Sequence, residues 1–337
     1  MANITFLIGN GFDLGLGLKT SYNDFYQSLK TDSKNDVINS IRNDRNLWAD
    51  MEVGLGRILS TYTTKTIDNY LNDLTQIEDL LSDYLEKQNN RFHIEDEAKV
   101  SESLLKKIPS IGSLLPQKYE RIYSGLIKNT NEPIQYSFIC FNYTNTLDLM
   151  LKSLTEKPSF SSHSFRGGTA GDRIVMPLHI HGKLRDGMIV GVNDESQINN
   201  PELRNNNLLL DSLVKTRTNT YFGNFNTQEA RDLIDNSKVV YVYGLSMGPT
   251  DKIWTETLIG WLNASPNRLL IIDSHDKKYS RSSGSRFVTW RESTLSNIKS
   301  ANGIEDQVFE NVKDRICTIA NTGLFSRKSI EGISISE

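Results

Sequence analysis

Apolar positions along the chain follow two alternating rhythms. Short β-rich runs recur at residues 4–8, 136–141, 174–181, 188–192, 239–243, 269–272 and 316–319. Several are continuously apolar, the pattern of strands buried on both faces of a parallel sheet. Between them lie helical stripes. Tyr22, Phe25, Tyr26 and Leu29 fall at i, i+3, i+4, i+7, and Ser21 with Asp24 makes a variant of the capping box. Ile253, Trp254, Thr257, Leu258, Trp261 and Leu262 form another stripe, opened by Pro249 near its first turn. Alternation of strand and helix predicts an α/β fold with a doubly wound, mostly parallel sheet.

One interval breaks the rhythm. Between the first strand and Tyr136 there is almost no strand signal, while Leu, Ile and charged residues recur at helical spacing. A βαβ crossover needs one helix, so this stretch reads as an insertion capping the carboxyl edge of the sheet. The predicted organisation is a Rossmann-like core over 1–30 and 131–325, a helical insertion over 31–130, and a flexible polar tail over 326–337. Residues 160–173 and 276–286, rich in Gly, Ser and charge, read as exposed loops.

Composition narrows the function classes. With 337 residues, 37% hydrophobic and 23% charged, the chain can bury a sizeable core. A net charge of −3 provides no broad attraction to nucleic acid or anionic membrane. The two cysteines, Cys140 and Cys317, sit in apolar runs and read as reduced core residues, too few for a zinc ribbon. The opening MANITFLIGNGFD lacks a basic region and reaches glycine quickly, as a strand does and a signal peptide does not. No apolar stretch reaches the roughly 20 residues of a membrane helix. A soluble cytoplasmic protein is expected.

Candidate chemistry gathers at strand ends. The first strand runs into Gly9-Asn10-Gly11-Phe12-Asp13-Leu14-Gly15-Leu16-Gly17. Glycines there would let backbone N–H groups approach a phosphate, or would serve backbone geometry alone. Phe141-Asn142-Tyr143-Thr144-Asn145 puts the Asn142 amide at the end of a buried strand, as a ligand contact or a helix cap. In Leu178-His179-Ile180-His181-Gly182-Lys183 two histidines share one face of an extended segment. They suit a general base, a metal pair lacking an obvious third ligand, or plain burial. Tyr243-Gly244-Leu245-Ser246-Met247-Gly248-Pro249-Thr250-Asp251 again joins strand to helix, and Asp273 ends a strand where nucleotide folds take ribose hydroxyls.

Taken together, IGNGFDLGLGLKTSYNDF, Trp48, Glu52, FNYTNTLD, HIHGKL and VYGLSMGPTDKIW resemble the AbiH family along essentially the whole chain. That resemblance implies abortive-infection immunity against bacteriophage. In the same order, the blocks are similar to those of the sirtuin-like superfamily. By that likeness Gly9, Asn10, Gly11, Asp13 and Gly17, with Phe12 among them, would cradle the NAD pyrophosphate. Asn142 would contact the nicotinamide ribose, His181 would be the catalytic histidine, and Gly244 and Ser246 would meet the adenosine side. Asp273 would touch the adenosine ribose, with Thr144, His179 and Asp251 completing the nucleotide site. Two departures stand out. Asp13 replaces a small serine, and Thr144 stands where an aspartate would contact nicotinamide.

The resemblance therefore implies hydrolysis of the N-glycosidic bond of NAD, with NAD as substrate, no metal, and His181 and Asn142 as catalytic residues. The alternatives are a nuclease-type toxin on the same fold and a nucleotide sensor without turnover. NAD or a related nucleotide is the expected partner, with a phage-derived activator and homo-oligomer formation left open.

Overall fold

The computed structural model describes residues 2–29, 34–44, 51–127, 131–157, 159–165, 168–221, 226–276, 279 and 283–336. Ten strands are defined: β1 (Ala2–Ile8), β2 (Phe92–Ile94), β3 (Ile134–Cys140), β4 (Ser161–Phe165), β5 (Gly168–Ile174), β6 (Leu178–His179), β7 (Ser237–Tyr243), β8 (Leu269–Ser274), β9 (Ile316–Ala320) and β10 (Ile333–Ile335). Eight of them form one sheet in the order β4-β5-β3-β1-β7-β8-β9, with β6 continuing beside β3. All pairings are parallel except β4 with β5. The fold is mixed α/β around a mostly parallel central sheet, with fourteen α-helices among the described residues.

Period-two alternation fixes the two layers. Ile4, Phe6 and Ile8 of β1 point to one face, where they join Phe138, Tyr241 and Phe325. Leu7, Ile139, Val240 and Val242 point to the other, against Trp254, Leu258, Trp261 and Leu262 of the helix Lys252–Ala264. Both faces are buried, so the strands read as unbroken apolar runs. From β1 the chain builds outward through β3 and β5, then returns to the other side of β1 to lay down β7, β8 and β9. Neighbouring loops diverge where that direction reverses, which opens a crevice beyond the carboxyl ends of β1 and β7.

The insertion divides in two. Helices Asp36–Asn43, Met51–Ile58 and Ile67–Asn89 build a separate core with Tyr143 and the segment from Val190 to Val214. Helices Glu97–Lys107 and Gln117–Ile127 instead cover the sheet face that carries Phe6. No helix among the described residues is long and apolar enough to cross a membrane. Cys140 and Cys317 are buried and form no disulfide.

Several expectations need correction. Residues 160–173 are largely the β4–β5 hairpin, pinned by the buried Asp172, which accepts from Ile134 N at 2.9 Å and contacts His163 Nδ1 at 2.7 Å. The expected strand over 174–181 is split into the end of β5 and the short β6. Pro177 lies in the gap and cannot donate to a ladder. Residues 188–192 form no strand. Val192 makes a single bridge to Val214, and Ile189, Val190 and Val192 are buried. The polar tail also folds back: Ile330 is buried and β10 pairs antiparallel with β2 of the insertion. Of the loop expected over 276–286, residues 277–278 and 280–282 lie outside the described residues, as does Trp48, and a helix already starts at Gly284.

Candidate functional site

The loop after β3 is held from two sides. Thr144 Oγ1 and Thr146 Oγ1 each donate to the Asp13 carboxylate at 2.6 Å, which ties this loop to the helix Gly11–Leu16 after β1. Asp13 is buried, and burial raises its pKa to about 6 against the opposing pull of the two threonines and His179. From behind, His179 places Nδ1 2.9 Å from the Asn142 carbonyl and Nε2 2.8 Å from Asp148 Oδ2. Burial works against charge on this imidazole, but Cys140 and Asp148 outweigh it and raise its pKa to about 10. An imidazolium is a double donor, so His179 bonds both oxygens at once. Asp148 sits below the usual carboxylate range: burial opposes this, and His179 and Lys183 prevail.

The clamp serves one side chain. Asn142 is 7% exposed, and its Nδ2 has no hydrogen-bond partner. A buried amide donor left unpaired costs about 1–3 kcal/mol; several buried polar atoms among the described residues lack a partner, and Asn142 Nδ2 is singled out by its place on a cavity wall. Asn142 lines a cavity of about 280 Å³ at the carboxyl edge of the sheet. The size is close to the lower end of the roughly 300–1,000 Å³ typical of small-molecule sites.

Four further walls close the cavity. Asn10, Asp13 and Thr20 come from the stretch after β1; Gly244, Leu245 and Ser246 follow β7. His181 and Lys215 form a third wall with Asn193 and Trp254, and the insertion supplies Glu52, Leu81 and Leu85. Gly182, at φ +70°, turns the chain sharply away after His181. The His181 ring meets Phe141 edge-on at 5.8 Å, and Phe141 meets Trp254 at 5.5 Å. Burial and the nearby Lys215 charge hold His181 well below its ordinary pKa, against the opposing Phe141 carbonyl. It is therefore a neutral imidazole of low basicity.

The walls of this cavity come from the segments that carry the sequence blocks, and a family model described as bacteriophage abortive infection AbiH matches residues 5–273. The chain belongs to the AbiH family. Membership implies a role in phage abortive infection. The match spans every described residue that lines the cavity, whereas β9 and β10 lie beyond it. Comparison with curated proteins gives no match.

In this AbiH chain Asn142, His181, Asn10, Asp13, Thr144, Gly244, Ser246 and Asp251 line one cavity. Gly9, Gly11, Phe12, Gly17, His179 and Asp273 do not, and each has a physical reason. Gly9 N and Gly11 N already donate to the carbonyls of Tyr243 and Gly244 at 2.9 Å, so they form no phosphate cradle. A Cβ on Gly11 would lie 2.5 Å from Gly244 Cα, so glycine is required there for close loop packing. Phe12 packs into the core against Phe325, and Gly17 is the left-handed cap of its helix at φ +101°. β6 ends at His179, so the alternation that would turn both histidines to one face ends there. Asp273 accepts from Tyr241 and Thr322 and is buried.

Commitments also differ among the lining residues. Asn10 and Thr20 bond each other, with Thr20 Oγ1 donating to Asn10 Oδ1 at 2.5 Å. Ser246 Oγ donates to Asp251 Oδ2 at 2.7 Å. Asp13 and Thr144 both line the cavity and are hydrogen-bonded to each other. Sequence reasoning assigned no role to the Glu52–Lys215 ion pair, to Asn193 or to the aromatic wall of Trp254 and Tyr143. No local signal marked Lys215, which follows Leu213 and Val214 and opens the polar run Lys215-Thr216-Arg217.

Proposed function

We propose that this AbiH protein is an abortive-infection effector that hydrolyses the N-glycosidic bond of NAD or a closely related nucleotide in the cytoplasm. Its sheet would then be a sirtuin-like variant of the Rossmann arrangement. The observation that carries the reading is the buried, unpartnered Asn142 amide lining the same cavity as the neutral His181. An amide donor suits a ribose hydroxyl or the attacking water, and a neutral imidazole suits the proton that water releases. The cavity accommodates the nicotinamide–ribose half, while the pyrophosphate extends toward solvent, because the Gly9 and Gly11 amides are already bonded.

In this reading Asn142 orients the ribose, nicotinamide leaves through an oxocarbenium-like state, and His181 takes the proton of the incoming water. The low basicity of His181 favours the second reading, a sensor that binds the nucleotide without turning it over. Infected cells carrying wild type, Asn142→Ala or His181→Ala at matched protein level separate the two. NAD loss in wild type that disappears in both variants supports hydrolysis. Protection without NAD loss moves the assignment to the sensor.

A further inference from the structure

The wall that the insertion contributes carries a charge pair the reading above does not use. Glu52, on the helix Met51–Ile58, forms an ion pair with Lys215 Nζ at the start of the helix Lys215–Tyr221. The side chains are only 11% and 5% exposed, and both residues line the Asn142 cavity. Tyr22 Oη adds a hydrogen bond to Glu52 Oε1 at 3.3 Å.

Stability alone does not account for this pair. Removing two charges from water is expensive, and apolar replacements of similar volume are often neutral or stabilising. The cavity it lines also contains a buried amide with no partner. Among the described residues the wall holds two other carboxylates, Asp13 bonded to two threonines and Asp251 to Ser246, as Glu52 is to Lys215 and Tyr22. Lys215 is the single Lys or Arg among the described lining residues, and its charge is engaged by Glu52. A wall of this character favours a group that is cationic or becomes so, as the ribosyl carbon does when its glycosidic bond breaks.

We propose that Glu52 is a catalytic carboxylate facing the ribosyl cation, with Lys215 as the residue that positions it; this rests on the N-glycosidase reading above. The C1′–N1 bond breaks, and its electron pair goes to the pyridine nitrogen, so nicotinamide leaves neutral. Positive charge passes from the pyridinium ring to C1′ and O4′, where the Glu52 carboxylate stabilises it. Water oxygen then bonds to C1′, and its proton goes to His181. The active site is in this way shared between the sheet core and the insertion, which supplies chemistry as well as cover.

The test uses the full chain purified from infected cells, with NAD as substrate and ADP-ribose as the binding probe. Glu52→Gln and the neutral pair Glu52→Gln/Lys215→Met are compared with wild type for nicotinamide release. Both should lose about 10²–10⁴-fold in kcat, with KM for NAD and Kd for ADP-ribose moving less than about threefold. The neutral pair keeps the test alive if Glu52→Gln alone misfolds around an unpaired ammonium. A folded double variant within about tenfold of wild-type kcat overturns the assignment while leaving Asn142 and His181 in place. Loss that tracks thermal unfolding, with normal kcat per folded molecule, marks the pair as structural and also overturns it. Wild-type protein that neither releases nicotinamide nor binds ADP-ribose overturns the N-glycosidase reading and this inference together.

Discussion

The glycine-rich loop after β1 and the loop after β3 end neighbouring strands, yet they spend their polar groups in opposite ways. Around Gly9 and Gly11 the backbone donors go to Tyr243 and Gly244, and the Asn10 side chain goes to Thr20. This loop is closed on itself and on its neighbour. After β3 the backbone is clamped as firmly, by His179 from behind, but the Asn142 amide is left buried and unsatisfied. The glycines draw the eye in a sequence, whereas the uncommitted group lies in the less conspicuous loop. The unbonded donor that lines the cavity therefore lies outside the loop that most resembles a motif.

The sharpest way to break this contrast is to exchange the roles. Asn142→Ala removes an amide that bonds nothing within the fold, so stability should hold while NAD loss in infected cells falls by about 10²-fold or more. A large drop in Tm with unchanged NAD loss would reverse the assignment of the two loops. His179→Ala should act through structure. It strips a donor from the Asn142 carbonyl and a partner from Asp148, costing about 3–5 kcal/mol in denaturant unfolding, as for a broken buried pair. His179→Ala at wild-type stability would remove the clamp from the account.

Gly11→Ala places its Cβ against Gly244 Cα and should cost about 1–3 kcal/mol by overpacking, with activity per folded molecule preserved. Selective loss of nucleotide affinity in a stable Gly11→Ala protein would return the phosphate role to this loop. The smallest effect concerns pH. Asp13 has a folded pKa raised from 3.8 to about 6, so the folded state holds this proton more tightly than the unfolded chain. Its contribution to stability is therefore present at pH near 4 and is lost as pH rises through about 6, by about 1–3 kcal/mol. Asp13→Asn should flatten that part of the stability–pH curve, and an unchanged slope would assign it to another group.

Much of the core was legible because burial leaves a periodic trace. Continuous apolar runs marked β1, β3, β7, β8 and β9, and Ser21 with Asp24 marked the cap of the helix Tyr22–Ser28, where Ser21 Oγ accepts from Asp24 N at 3.1 Å. The hairpin β4–β5 was not legible. Its residues are Ser, Gly and charged, and it is held by Asp172, a polar anchor that periodicity does not register. Residues 188–192 misled in the other direction, since an apolar run reports burial and not the presence of a neighbouring strand. At the site, Asn142 and His181 stood beside strand ends and could be found. The Glu52–Lys215 pair joins positions 163 residues apart, and no local pattern connects them.

The return of β10 onto β2 ties the order of synthesis to the order of assembly. Ser334 Oγ reaches Glu95 across 239 residues of chain, so the edge offered by Phe92–Ile94 leaves the ribosome long before its partner exists. At about 5–20 residues per second, that edge waits on the order of 10–50 s for β10. The small sheet beside the insertion thus forms later than any contact between segments that precede Ile333. A ribosome stalled between Trp254 and Ile333 would release a protein with its cavity-lining residues already made and this late fastening missing.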